Sequence, residues 1–272
     1  MPILIARGSS AFRPRTDRSM QIVSAQNADG HMRILSFADY ALNIQRANLI
    51  GAWFPGESAG ASCFDNSDQR NNATACSLSI PEPCISGITG ASFNGASAHV
   101  NVYSTAFNSD FNGNELTMFV MARTGSAGSW TDGATRNLFH FAVSASNDVF
   151  ITKTSTDYTI RVSYAASGTT KIVNNLLLSN QLPRNCYFTM ALTVSATASQ
   201  FMGFFNGEQF GTTQTGLLNW SGALAVAQCT IGANSIIGAN PWVGWIGAAL
   251  VWSKALDANT IRNLHRYSGA GA

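Results

Sequence analysis

From Leu49 onward, apolar and polar residues alternate in short runs rather than in helical stripes. In YTIRVSY, Tyr158, Ile160, Val162 and Tyr164 share one side and Thr159, Arg161 and Ser163 the other. That period of two predicts a half-buried strand. ELTMFVMA (115–122), NLFHFAVS (137–144) and CYFTMALTVS (186–195) are apolar on both sides or nearly so, which suits the inner strands of a sandwich. QFMGFF runs into Asn206-Gly207 and then EQFG, a type I′ hairpin signal because both central residues must take positive φ. Turn-forming clusters recur about every ten residues, the spacing of an all-β sandwich or barrel.

Only two stretches read as helical. Ser36 precedes FADYALNIQRA with Asp39 three residues on, and Phe37, Tyr40, Ala41 and Ile44 share a face, so a capped short helix is predicted around 37–46. Near the other end Asp257 can cap ANTIRNLHRY, with Ile261 and Leu264 turned inward and Leu256 as a staple. Before the first helix, RGSSAFRPRTDRSMQ is aperiodic and rich in turn formers and arginine, an extended arm. Residues 1–48 are therefore assigned to an N-terminal arm and short helix serving anchoring or assembly, and 49–272 to the β-sandwich.

Composition narrows the setting. Hydrophobic residues are 46% of the 272, enough for a large core, whereas charged residues are only 11% against roughly a quarter in ordinary globular chains. Sixteen Lys and Arg against fourteen Asp and Glu leave +2, which speaks against nucleic-acid binding by bulk charge and against an acidic tail. Polarity comes instead from Ser, Thr, Asn and Gly, as in many extracellular and virion β proteins. Met1–Ala6 is too short for a signal core and basic residues follow it; no run reaches the ~18 apolar residues of a membrane span. Standard secretion is not expected. The five cysteines, at 63, 76, 84, 186 and 229, match no zinc spacing and read mostly as thiols, with a bridge in the 63–84 region left open.

Taken in order, LIGAWF (49–54), FDNSDQRNNAT (64–74), GITGASFNG (87–95), HVNV (99–102), YFTMALTVSATASQFMGFFNGEQFG (187–211) and VGWIGAALVWSKALDANTIRNLHRY (243–267) resemble the laminin-G-like, concanavalin A-like lectin-glucanase domain in its bacterial and phage form. The resemblance covers about 49–267. It implies a two-sheet antiparallel jelly-roll sandwich, here with an N-terminal arm and short helix and a C-terminal helix. It also implies a calcium site with one acidic side chain early in the domain and another in the last strand. Asp65 takes the early position, but Ile246 is followed by Gly247 and Ala248, so the late carboxylate is lost. A hard cation needs several oxygen ligands, and no metal or other cofactor is expected.

Candidate chemistry is sparse. Gly56-Glu57-Ser58-Ala59-Gly60 fits G-x-S-x-G, but a nucleophile elbow needs a helix directly after it, and ASCFDNSDQRNN offers none. Glu57, Glu82, Glu115 and Glu208 lack the E-x-D-x-E strand of the glucanase relatives, which place two carboxylates around one bond. His31, His99, His140 and His265 lie in separate contexts and read as structural or surface residues. No enzyme is expected. Sugar binding uses an aromatic platform with planar polar groups, and three predicted loops combine them: Trp130 with Asp132, Asn219 with Trp220, and Asn240 with Trp242. The competing reading is that these indoles plug the ends of the sandwich or serve a subunit contact; Trp53, Trp245 and Trp252 lie on strands and read as core. Arg7, Arg13, Arg15 and Arg18 in the arm are candidate anchoring residues, and without stacking aromatics or a groove-reading element they are a weak nucleic-acid signal.

Two readings remain. One is a structural or adhesion protein of a phage virion, such as a capsid decoration, anchored by its arm on capsid or tail proteins, self-associating within the assembly and displaying a lectin-like jelly roll. The other is a carbohydrate-binding lectin or adhesin of a tail fibre or cell surface, with host glycans as partners; a glycoside hydrolase would need a carboxylate pair drawn from distant strands.

Overall fold

The computed structural model describes residues 24–26, 32–34, 36–57, 62–76, 78–83, 87–176 and 186–271. A small hairpin pairs β1 (Ser24–Gln26) with β2 (Met32–Ile34). Helix α1 (Phe37–Asn43) leads to β3 (Leu49–Trp53), β4 (Ser62–Cys63), β5 (Ala73–Cys76), β6 (Ser79–Pro83), β7 (Thr89–Asn94) and β8 (His99–Asn101). After α2 (Thr105–Asp110) come β9 (Glu115–Thr124), β10 (Arg136–Ser144), β11 (Asn147–Lys153), β12 (Thr159–Ala166) and β13 (Thr169–Leu176). The chain closes with β14 (Phe188–Ser195), β15 (Gln200–Phe205), β16 (Glu208–Gln214), β17 (Cys229–Ile231), β18 (Val243–Trp252) and α3 (Ala258–Ser268).

These strands form two antiparallel sheets, the jelly-roll sandwich that the strand pattern and the resemblance predict. One sheet runs β13-β12-β11-β10-β17-β8-β5-β4; the other runs β16-β15-β14-β9-β18-β7-β6, with β3 also pairing β18. Between them lies a single apolar layer: Met118 and Val120 of β9 and Met190 and Leu192 of β14 meet Phe139 and Phe141 of β10, Val149 and Ile151 of β11 and Ile160 and Val162 of β12. Successive strand residues point to opposite faces, so the predicted alternation of β12 holds: Ile160 and Val162 are buried while Arg161 faces out. Asn206 (φ 49°) and Gly207 (φ 79°) make the hairpin turn between β15 and β16.

The outer faces of the two sheets differ. Across β9, β14, β15 and β18, the residues Phe119, Met121, Ala191, Phe204, Leu250 and Trp252 point away from the central core and form a second apolar cluster with Phe37 and Ala41 of α1 and Ile261 and Leu264 of α3. Both helices carry the predicted caps. The Ser36 hydroxyl accepts from Asp39 N–H while Asp39 reaches back to Ser36 N–H, and Asp257 accepts from Thr260 N–H. Helix α1 ends at Asn43, shorter than predicted, because Ile44 is already extended. Placed with the arm on sequence grounds, α1 is docked on the sandwich: Phe37 sits 6.5 Å from Phe54 and 6.1 Å from Phe119, ring centre to ring centre. Tyr40 stacks on Tyr267 of α3 at 4.0 Å. Among the described residues, no helix covers the outer face of the β10–β13 sheet, and none is long and apolar enough to cross a membrane.

Candidate functional site

On this outer face, strand register assembles a row across the sheet. Thr230 of β17 pairs with His140 of β10, His140 with Phe150 of β11, Phe150 with Ser163 of β12, and Ser163 with Ile172 of β13. The adjoining row is Asn137–Thr152–Arg161–Asn174. Phe139 and Phe141 are buried inward, so His140 between them must point out. By the same alternation Val149 and Ile151 point in and leave Phe150, a bulky aromatic, half-buried on the polar side.

A cleft of about 220 Å³ opens here, with His140, Asp148, Phe150, Thr152 and Arg161 on its floor. Its walls are the loop at Thr154–Thr156 and the loop carrying Asn234 and Asn240. Both walls are held firmly. Asn137 N–H donates to Asn240 O at 2.9 Å, Arg136 Nη1 to Pro241 O at 2.8 Å, and Tyr158 N–H to Trp130 O at 3.0 Å. Asp132 ties them together: its carboxylate accepts from Lys153 Nζ and Arg136 Nε, each at 2.7 Å, and from Ala134 N–H. Burial alone would raise the Asp132 pKa, but the hydrogen bonds from Lys153, Ala134 and Arg136 outweigh it and hold the carboxyl below the usual range.

The chemistry of the cleft lies in groups left without a match. His140 Nε2 stands 2.9 Å from Asp148 Oδ1, and the histidine is 6% exposed. Among the described residues, His140 Nδ1 and Asn234 Oδ1 are enclosed and have no hydrogen-bond partner, and Asp148 Oδ1 makes no aligned hydrogen bond despite its contact with the imidazole. Buried polar atoms normally find partners, so three such atoms around one hollow mark a place where a hydrogen-bonding molecule fits. Arg161 donates Nε to the Asn174 amide at 2.8 Å and has no carboxylate within ion-pair distance among the described residues.

The sequence-derived candidates are distributed otherwise. Trp130 and Trp242 are each 1% exposed and pack on either side of Phe188, at 5.7 and 6.0 Å. They plug the end of the sandwich beneath the cleft. Trp220, also buried, packs against Phe111 and Tyr164, while Asn219 O accepts from Ser167 Oγ near the far ends of β10 and β12. A sugar stacks on an exposed ring face, which none of these indoles offers. Asp132 is spent on its three donors, and only Asn240 of that set lines the cleft. Trp53 and Trp252 are fully buried as expected; Trp245 is not, being half-buried with the Arg123 guanidinium 4.0 Å above its ring. Arg7, Arg13, Arg15, Arg18, Ser58 and Cys84 lie outside the described residues.

The calcium implied by the resemblance does not fit. Asp65 is 2% exposed and both oxygens are already engaged: Oδ1 accepts from Ala52 N–H and Ser67 N–H, and Oδ2 from Ser67 Oγ and Asn71 N–H, all at 2.7–2.8 Å. These donors do a cation's work of organising the loop. Among the described residues, no group of three His, Cys, Asp or Glu side chains converges on a metal-sized site. Another hollow, beside the start of α3, is lined by Glu115, Thr193, Met202, Lys254 and Asp257, but its charged groups serve the fold: Glu115 accepts from Ser195 Oγ, Lys254 donates to Gln45, and Asp257 caps α3.

No protein-family model matches the chain, and no curated protein sequence matches it. Among solved structures, the chain is similar to the receptor-binding domain of botulinum neurotoxin mosaic serotype C/D, at TM-score 0.59 and 13% identity over 81% of this chain and 51% of that one. It is similar to Trypanosoma rangeli sialidase in complex with sialic acid, at 0.57 and 11% over 82% and 33%. It is also similar to domain 4 of an extracellular arabinanase from Geobacillus stearothermophilus in complex with arabinotriose, at 0.57 and 13% over 80% and 98%. The chain thus spans about half of the neurotoxin chain, a third of the sialidase and nearly all of the arabinanase domain. At these identities the likeness establishes the sandwich fold.

Proposed function

We propose that this protein is a non-enzymatic carbohydrate-binding adhesin whose sugar site is the cleft on the outer face of β10–β12. The observation that carries the reading is the half-buried Phe150 ring set among polar atoms of His140, Asp148 and Asn234 that are enclosed and unmatched among the described residues. A sugar presents one apolar face and a rim of hydroxyls, and such a cleft complements both. Its volume lies under the roughly 300–1,000 Å³ of drug-sized ligand pockets, which suits a terminal sugar better than a long chain. Folds alone assign no function, but the arabinotriose complex of an arabinanase domain that this chain matches over nearly its whole length agrees with the reading.

Binding rather than hydrolysis is favoured by the cleft's acid inventory. Asp148 is the one carboxylate among its lining residues, whereas glycoside hydrolysis ordinarily needs two flanking the bond. The setting we propose is the surface of a phage particle, with capsid or tail proteins as partners of the N-terminal arm and self-association within that assembly. That part rests on the low charge, the arm-like composition and the resemblance of the sequence.

Titration of the full chain against a glycan panel tests the site. Phe150→Ala is expected to weaken any glycan bound by wild type at least tenfold while the protein still melts cooperatively. Unchanged glycan affinity in a folded Phe150→Ala protein would place the site elsewhere.

A further inference from the structure

We propose that the saccharide is acidic, its carboxylate held by Arg161; this rests on the cleft being the sugar site. The cleft's unmatched groups are of two kinds and call for different ligand atoms. In the tautomer that carries its proton on Nε2, 2.9 Å from the Asp148 carboxylate, His140 presents Nδ1 as an acceptor. Asn234 Oδ1 is also an acceptor. Two enclosed acceptors need ligand donors, and sugar hydroxyls supply them.

Arg161 asks for the opposite. Its Nε is fixed by the Asn174 amide, a neutral partner, which steers the guanidinium while leaving both terminal nitrogens unengaged among the described residues. A guanidinium fork matches a planar carboxylate with two parallel hydrogen bonds and recognises it better than it does a single hydroxyl. Two other basic side chains at this end of the sandwich, Lys153 and Arg136, are already committed to Asp132. Asp148 faces His140 rather than Arg161 in the ion pairs of the described residues, so the guanidinium charge is not cancelled from within. On β12 Arg161 lies two residues from Ser163, which is opposite Phe150. The fork therefore stands diagonally across from the ring, a Cα spacing of about 7–8 Å. One sugar can rest its apolar face on Phe150, give hydroxyl protons to His140 and Asn234, and turn a ring carboxylate to Arg161. Uronic and sialic acids are the sugars that carry hydroxyl donors and a carboxylate together.

The test is calorimetric titration of the full chain with matched pairs: sialyllactose against lactose, and glucuronate-ended against glucose-ended disaccharides. At least one acidic member is expected to bind tenfold or more tighter than its neutral partner. Arg161→Gln is expected to erase that difference by weakening the acidic member alone, and Arg161→Lys to restore part of it. If neutral members bind as tightly as acidic ones, or if Arg161→Gln weakens both equally, the acidic assignment is overturned while the sugar site stands. If no saccharide of either set or of the wider panel binds, or if Phe150→Ala changes nothing, both readings fall.

Discussion

Lys153 Nζ lies 2.7 Å from Asp132 Oδ1, and the lysine side chain keeps only 2% of its surface exposed. Its second acceptor is Ala134 O at 2.9 Å, so the ammonium is satisfied only while the 132–134 turn stays in place. Asp132→Asn removes the charge that compensates it. Breaking a buried pair costs roughly 3–5 kcal/mol, and because Asp132 is itself 23% exposed a loss of about 3 kcal/mol is expected. Denaturant titration of the two proteins reads it directly.

The same carboxylate sets an acid limit. Its folded pKa is depressed, so its contribution is fully present above the unfolded value of about 3.9. It is lost as pH falls from there through the lower folded value. Wild type should lose melting temperature below about pH 4, and Asp132→Asn should show a shallower loss over that window. Parallel slopes in the two proteins would mean that other carboxylates set the limit.

Phe37 is wedged against Phe54 and Phe119 and is 1% exposed. Truncating it should cost about 3 kcal/mol. Deleting residues 1–48 should destabilise the sandwich at least as much, since it uncovers the same apolar face, whereas deleting only 1–35 spares α1 and its capping box. Thermal melts of the two truncations separate a packing role for the helix from an anchoring role for what precedes it.

Trp242→Ala should destabilise by about 3–5 kcal/mol, because the ring is enclosed against Phe188. The loss should be the same with or without saccharide. A folded, equally stable Trp242→Ala protein that had lost only sugar binding would return this indole to the ligand.

Gly207→Ala tests the hairpin. The residue sits at φ 79°, and an added Cβ would come within 2.9 Å of His265 Cβ. Left-handed backbone costs an L-residue about 1–2 kcal/mol, and equilibrium unfolding should show at least that.

Strand existence was legible because period-two alternation is a local signal, and so were the Asn-Gly turn and both helix caps. The cleft was not, although its residues stood in plain positions: His140 between two inward phenylalanines, Phe150 between Val149 and Ile151, and Arg161 on the polar side of its strand. What local pattern lacks is register. That Phe150 falls opposite His140 on one side and Ser163 on the other is decided by pairing across separate segments. Residue type alone left the loop tryptophans open between ligand and plug for the complementary reason. A loop has no period to say whether its ring points inward, and large apolar rings near the open end of a sandwich gain most by plugging it.

The stacking of Tyr40 on Tyr267 brings the first and last helices side by side. Both helices therefore lie behind the sheet that does not carry Phe150. A label attached to an exposed position of α1 or α3 sits across both sheets from the cleft, and its signal should not change when a ligand fills the β10–β12 face.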